Sequence, residues 1–167
     1  MSDLPRRNRR IRVMVDTNVA LNYALGNEVA VDEIRCFLNT CADKDIDVLL
    51  TATSLKDMFY IMPRAYRRQL SPNSVDLPQH ELDALIRDVS WHAICDAMAL
   101  YGIVGVDQDV CESAVGLRRH HPDFEDNLVM SAADSVSAKY VVTYDEQLIK
   151  HFPGICMTPK HVLAWLG

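Results

Sequence analysis

The amino-acid sequence predicts an α/β domain in which a mainly parallel sheet is covered by helices. Short apolar runs rich in β-branched residues recur at 11–15, 47–52, 102–106 and 139–143. Each is followed by a longer stretch of helical periodicity, the pattern of successive βαβ units. Size agrees: 167 residues, 49% hydrophobic and 24% charged, supply one sizeable core and are too few for two full domains. With only 6 Gly and 7 Pro, collagen-like and linker character are excluded.

The first strand, 11–15, ends at Asp16, and Thr17-Asn18 is expected to cap a helix over 19–25 closed by Gly26. A second helix over 29–43 sets Val29, Ile34, Phe37, Leu38 and Cys41 on one face. After the strand at 47–52, Thr53-Ser54 opens a helix bearing Leu55, Met58, Phe59, Ile61 and Met62, with Pro63 in its C-terminal half. Residues 67–78, containing Pro72, Asn73, Ser74 and Pro78, read as a loop, either an insertion or a mobile cover. One helix or two short ones are expected over 79–98, a strand at 102–106 and a helix at 109–119. His120-His121-Pro122 is a loop signal, and Asp123 opens a helix over 125–138. The strand at 139–143 precedes a short helix, an edge strand at 155–157 and a last helix with Pro159 in its first turn.

The chain divides into a flexible basic N-terminal arm, 1–10, and a single domain, 11–167. Charge is segregated: net +4 over residues 1–12 against −10 over the rest. A total of −6 excludes a uniformly basic nucleic-acid coating protein but leaves room for a local site. Five cysteines, an odd number without a C-x-x-C pair, point to a reduced, cytoplasmic chain. Asp16, Asn18 and Asn22 interrupt the apolar stretch after the basic N-terminus, so no signal peptide is read, and no run of about 18 apolar residues predicts a membrane span.

In parallel sheets, ligands collect outside the carboxyl ends of the strands. Asp16 and Asp145 fall at the ends of two expected strands, and Asp57 and Asp126 in the first turns of two expected helices. Singly, each has an ordinary explanation as a cap or a partner of the helix dipole. Together on one rim they would repel and raise one another's pKa unless a cation compensates. Mg²⁺ suits such a set, because it takes oxygen ligands and keeps positions open for water and phosphate. The chemistry this favours is phosphodiester hydrolysis.

The residues that carry the pattern resemble a known family. The segment 13–19, with Asp16-Thr17-Asn18, looks like the opening motif of PIN-domain ribonucleases. Ser54 to Asp57 with Phe59-Tyr60-Ile61 is similar to the second motif, Asp123-Phe124-Glu125-Asp126 with Ala132-Ala133 to the third, and Thr143-Tyr144-Asp145 to the fourth. The resemblance spans roughly 11–165. It implies a three-layer α/β/α sandwich whose acidic pocket binds Mg²⁺ or Mn²⁺ and cleaves RNA, with Asp16, Asp57, Asp126 and Asp145 as catalytic acids. Asp16 and Asp126 are the expected metal ligands, with Asp145 binding directly or through water. Asn18, Ser54 and Thr143 would give polar support. Asp57, where the family most often has Glu, would position water or a second ion. Asp123 is expected as a cap or outer acid, with Glu125 pointing elsewhere. The resemblance further implies the toxin of a bacterial toxin-antitoxin pair, an antitoxin partner and a homodimer.

Arg64, Arg67, Arg68, Arg118 and Arg119 are candidate RNA contacts, set against the simpler reading of solvated helix ends. Adjacent His120 and His121 do not share a helix face, which disfavours zinc. Trp91 and Trp165 read as packing groups and the cysteines as inert thiols. A non-catalytic RNA-binding or protein-interaction module with the same fold is the alternative. A phosphatase with Asp16 as nucleophile would want an acid two residues on, where the chain has Asn18.

Overall fold

A computed structural model describes residues 10–70 and 77–166. The basic arm therefore lies, apart from Arg10, outside the described residues, as do Pro72, Asn73 and Ser74 of the expected loop. Five parallel strands form one sheet in the order β3-β2-β1-β4-β5. They are β1 (Arg12–Val15), β2 (Asp47–Thr51), β3 (Gly102–Val104), β4 (Tyr140–Val142) and β5 (Cys156–Met157). Between them run α1 (Thr17–Ala24), α2 (Val31–Asp43), α3 (Ala52–Gln69), α4 (Gln79–Leu100), α5 (Gln108–Gly116), α6 (Phe124–Ser135) and α7 (Glu146–His151), with α8 (Pro159–Leu166) closing the fold.

Strand alternation explains the three layers. Val13 and Val15 point to one face with Leu50, Tyr140 and Val142, meeting Ile34 and Phe37 of α2, Met58 and Met62 of α3 and Val162 of α8. Met14 and Val141 point to the other, against Val129, Ala132 and Ala133 of α6 and Leu148 of α7. Val13, Met14 and Val15 are all fully buried, as a central parallel strand covered on both sides requires. The chain leaves β1 toward β2 and β3 and returns on the other side to β4, so the crevice above β1 and β4 is where the winding reverses.

Several boundaries differ from the sequence expectation for identifiable reasons. α1 starts two residues early because Asp16, not Thr17-Asn18, is its N-cap. Val29 is 93% exposed, since α2 begins only at Val31. α3 continues through Arg67 and Arg68 despite Pro63, and α4 is one helix. α5 stops at Gly116 and tightens into a 3-10 turn, Leu117–Arg119. α6 ends at Ser135, three residues short of expectation, because Ser137 adopts a left-handed backbone with φ 52°.

Candidate active site

Asp16 sits at the end of β1 with 4% of its surface exposed and caps α1. Its Oδ1 accepts from the Thr17 N–H at 2.6 Å, and its Oδ2 accepts from Asn18 Nδ2 at 2.6 Å and Thr143 Oγ1 at 2.7 Å. The Thr143 hydroxyl in turn accepts from Asn18 Nδ2 at 3.0 Å and from the Asp145 N–H at 2.9 Å. Asn18 Oδ1 accepts from the Tyr144 N–H at 3.1 Å. One Thr and one Asn thus tie the end of β1 to the end of β4. Ser54 is one step removed: it accepts from Thr17 Oγ1 at 2.8 Å and pairs with Thr51, the N-cap of α3, at 2.8 Å. Burial drives the Asp16 pKa from 3.8 to about 6; the Thr143 and Thr17 bonds oppose this, and the charges of Asp126 and Asp145 add to it.

Asp126 lies in the first turn of α6, whose N-cap is Asp123. Asp123 Oδ1 accepts from the N–H groups of Glu125 at 2.8 Å and Asp126 at 3.2 Å, which makes it the expected cap. Asp126 Oδ2 meets His121 Nε2 at 2.8 Å. Its pKa is raised, first by burial, against the lowering effect of the His121 bond, with Asp123 and Asp145 adding repulsion. Asp145 caps α7, its Oδ1 accepting from Gln147 N–H at 2.7 Å and Leu148 N–H at 3.0 Å. Asp16, Asp126 and Asp145, from three separate segments, therefore stand within one another's electrostatic reach.

Asp57 stands in the second turn of α3 rather than the first, because that helix begins at Ala52. Its side chain pairs with Lys56 Nζ at 2.8 Å. Glu125 does not point elsewhere: it meets Asp57, and the hydrogen bond between the two carboxyls is the largest cause raising the Glu125 pKa to about 7. Spacing along α6 cannot disclose this contact, because the partner comes from α3. Thr17, expected as a helix cap, and Thr51, expected only as part of a strand, both join the hydroxyl network. His121, expected in a loop and disfavoured for zinc, meets Asp126; its only sequence signal is its place five residues before that acid.

A family profile described as the PIN domain matches residues 12–147. This chain belongs to the PIN-domain family. Among solved structures, the PIN domain is similar to a chain of a toxin-antitoxin complex from Klebsiella pneumoniae, with TM-score 0.56 and 14% identity over 88% of this chain and 97% of that one. It is also similar to a chain of VapBC2 from Rickettsia felis bound to a DNA fragment from their promoter, with TM-score 0.63 and 16% identity over 89% of this chain and 98% of that one. These likenesses show a common fold. No curated protein matches the sequence.

The arginines of this PIN domain fall in two places. Arg64, Arg67 and Arg68 occupy the last turns of α3, about 10–16 Å along the axis from Asp57. Arg67 is engaged there by Asp83 at 2.8 Å. Arg118 and Arg119, both exposed, sit in the 3-10 turn just before the His121–Asp126 segment. Trp165, half-exposed, lies edge-on to Tyr140 with centres 4.9 Å apart and has Lys139 Nζ 3.6 Å from its ring centre. Among the described residues no helix is long and apolar enough to cross a membrane.

The donor set fits a hard divalent cation by chemistry: oxygen ligands, mutually repelling, with Asp16 buried at their centre. Among the described residues no three His, Cys, Asp or Glu side chains stand close enough to enclose an ion by themselves.

Proposed function

We propose that this PIN domain is a metal-dependent endoribonuclease, acting in the cytoplasm as the toxin of a toxin-antitoxin pair. The observation that supports it is the cost the fold accepts at Asp16: a carboxylate 4% exposed with Asp126 and Asp145 charges beside it. Such burial, with the lesser repulsion beside it, is a liability in a purely structural cap and an asset where a cation binds. Asp16 and Asp126 would hold Mg²⁺ or Mn²⁺, with Asp145 as a further or water-mediated ligand. When bound, the ion would supply charge to activate water and shield the scissile phosphate. Thr143 and Asn18 keep the Asp16 carboxylate in one orientation, since each donates to Oδ2. Glu125, whose bond to Asp57 raises its pKa to about 7, would hold or hand on a proton at the edge of the cleft. Arg118 and Arg119 are the better placed of the arginines to meet an RNA backbone, since phosphate affinity comes from charge neutralisation.

Purified protein should cleave unstructured RNA in Mg²⁺ or Mn²⁺ and lose that activity as Asp16→Asn. RNA left intact by the wild type, or cut equally by the mutant, would remove the mechanism. Expression without an antitoxin should arrest growth, and an antitoxin that covers the acidic cleft should relieve it. A homodimer is part of the same reading, checked by light scattering. A second reading, a non-catalytic RNA-binding or protein-interaction module, draws on the Asp57–Glu125 pair and the absence of a closed carboxylate cage among the described residues. Calorimetry separates the two, because a module that has lost the metal should show no heat with millimolar Mn²⁺.

A further inference from the structure

His121 is 3% exposed, and both of its ring nitrogens are engaged. Nε2 lies 2.8 Å from Asp126 Oδ2 and Nδ1 lies 2.7 Å from His151 Nδ1. An ionised Asp126 can only accept, so His121 Nε2 carries a proton. His121 Nδ1 and His151 Nδ1 share one proton, whichever ring carries it. Either way the His121 ring donates through Nε2 to Asp126 and is tied through Nδ1 to His151.

The imidazole is held from several sides. Asn127 Nδ2 donates to the His121 backbone carbonyl at 2.9 Å, and His120 Nε2 donates to the His151 carbonyl at 2.6 Å. The His121 and His151 rings meet edge-on with centres 5.0 Å apart, and Phe152 lies 6.0 Å from His121. His151 is the last residue of α7, the helix that Asp145 caps. The histidines therefore couple the far end of the Asp145 helix to the first turn of the Asp126 helix.

We propose that His121, oriented by His151, is a positioning residue that binds Asp126 Oδ2 and so leaves Oδ1 to face the cation of the proposed nuclease site. The inference rests on that functional reading. It adds a partner behind the carboxylate, where a hydrogen bond restricts rotation and sharpens the ligand's aim. Loss of such outer partners typically weakens metal binding about 10–100-fold. A histidine that merely fills space would be replaceable by any side chain of similar volume.

The test compares His121→Leu, which keeps bulk and removes the donor, with His121→Gln, which restores an N–H close to the Nε2 position. Calorimetry with Mn²⁺ should show binding weakened about 10–100-fold in His121→Leu and largely recovered in His121→Gln. Nitrogen-15 spectra of the metal-free wild type should show a proton on His121 Nε2, a readout independent of metal and of any substitution. Unchanged affinity in His121→Leu, equal losses in both variants, or a His121 Nε2 without a proton would overturn the positioning role while leaving the nuclease reading intact. A wild type that binds no Mn²⁺ would overturn the nuclease reading and this assignment with it.

Discussion

Asp16 is protonated more readily in the folded chain than in the unfolded one. Its pKa rises from 3.8 to about 6 on folding, mainly through burial. Between those values the folded state holds a proton that the unfolded state has released, so stability falls as pH rises through this window. Above pH 6 the full cost remains, roughly 3 kcal/mol by linkage. In chelator, the melting temperature should therefore be higher at pH 5 than at pH 7.5. Asp16→Asn should flatten that slope and abolish RNA cleavage; a wild-type profile of opposite slope would contradict the burial argument. Glu125, raised to about 7 by its bond to Asp57, acts with the same sign. A carboxyl NMR titration should find its midpoint near neutrality in the wild type and nearer the ordinary carboxylate range in Asp57→Ala.

Legibility at this scale followed a simple division. Asp16 and Asp145 could be read because a strand end and a helix start are local features of sequence. The Glu125–Asp57 and His121–His151 contacts join segments from different parts of the chain, and a single helical wheel contains only one of the partners.

At the scale of the element, the acids double as caps. Asp123→Ala should cost about 1 kcal/mol in chemical denaturation, because two N–H groups of α6 lose their acceptor. Helix starts were legible to within about two residues in α1 because polar caps mark them. Helix ends were legible in α1, closed by Gly26, and in α2, which stops at Asp43 as expected, but not in α6: Ser137 at φ 52° follows it, a left-handed position, like Asp45 at φ 56° after α2, without the glycine that normally announces one. Asp45→Gly should raise stability by up to about 1 kcal/mol, since the exposed ion pair it gives up, Arg10–Asp45 at 3.0 Å, is worth little. Pro63 sits inside α3, where it removes an N–H donor, so Pro63→Ala should also raise the midpoint of chemical denaturation.

For the whole molecule, the fold class was readable from alternation of strand and helix patterns. Strand order was not, because β1 lies between β2 and β4 through pairings that no local composition encodes. The acids converge as a property of that order. If they take up a divalent ion, Mn²⁺ at a hundred times its dissociation constant should stabilise the fold by about 2.7 kcal/mol, and Asp16→Asn should erase the shift in melting temperature. A melting curve indifferent to Mn²⁺ would place the acids in a structural role alone.

The pairing of Met14 with Val141 has a temporal side. Asp16 is made before its partner Thr143 and its neighbour Asp145. A ribosome-bound fragment that stops at the β3 stage thus carries Asp16 and Asp57 but neither Asp126 nor Asp145, and Asn18 without Thr143. The translating cell meets the assembled cleft only once β4 and the start of α7 have been made.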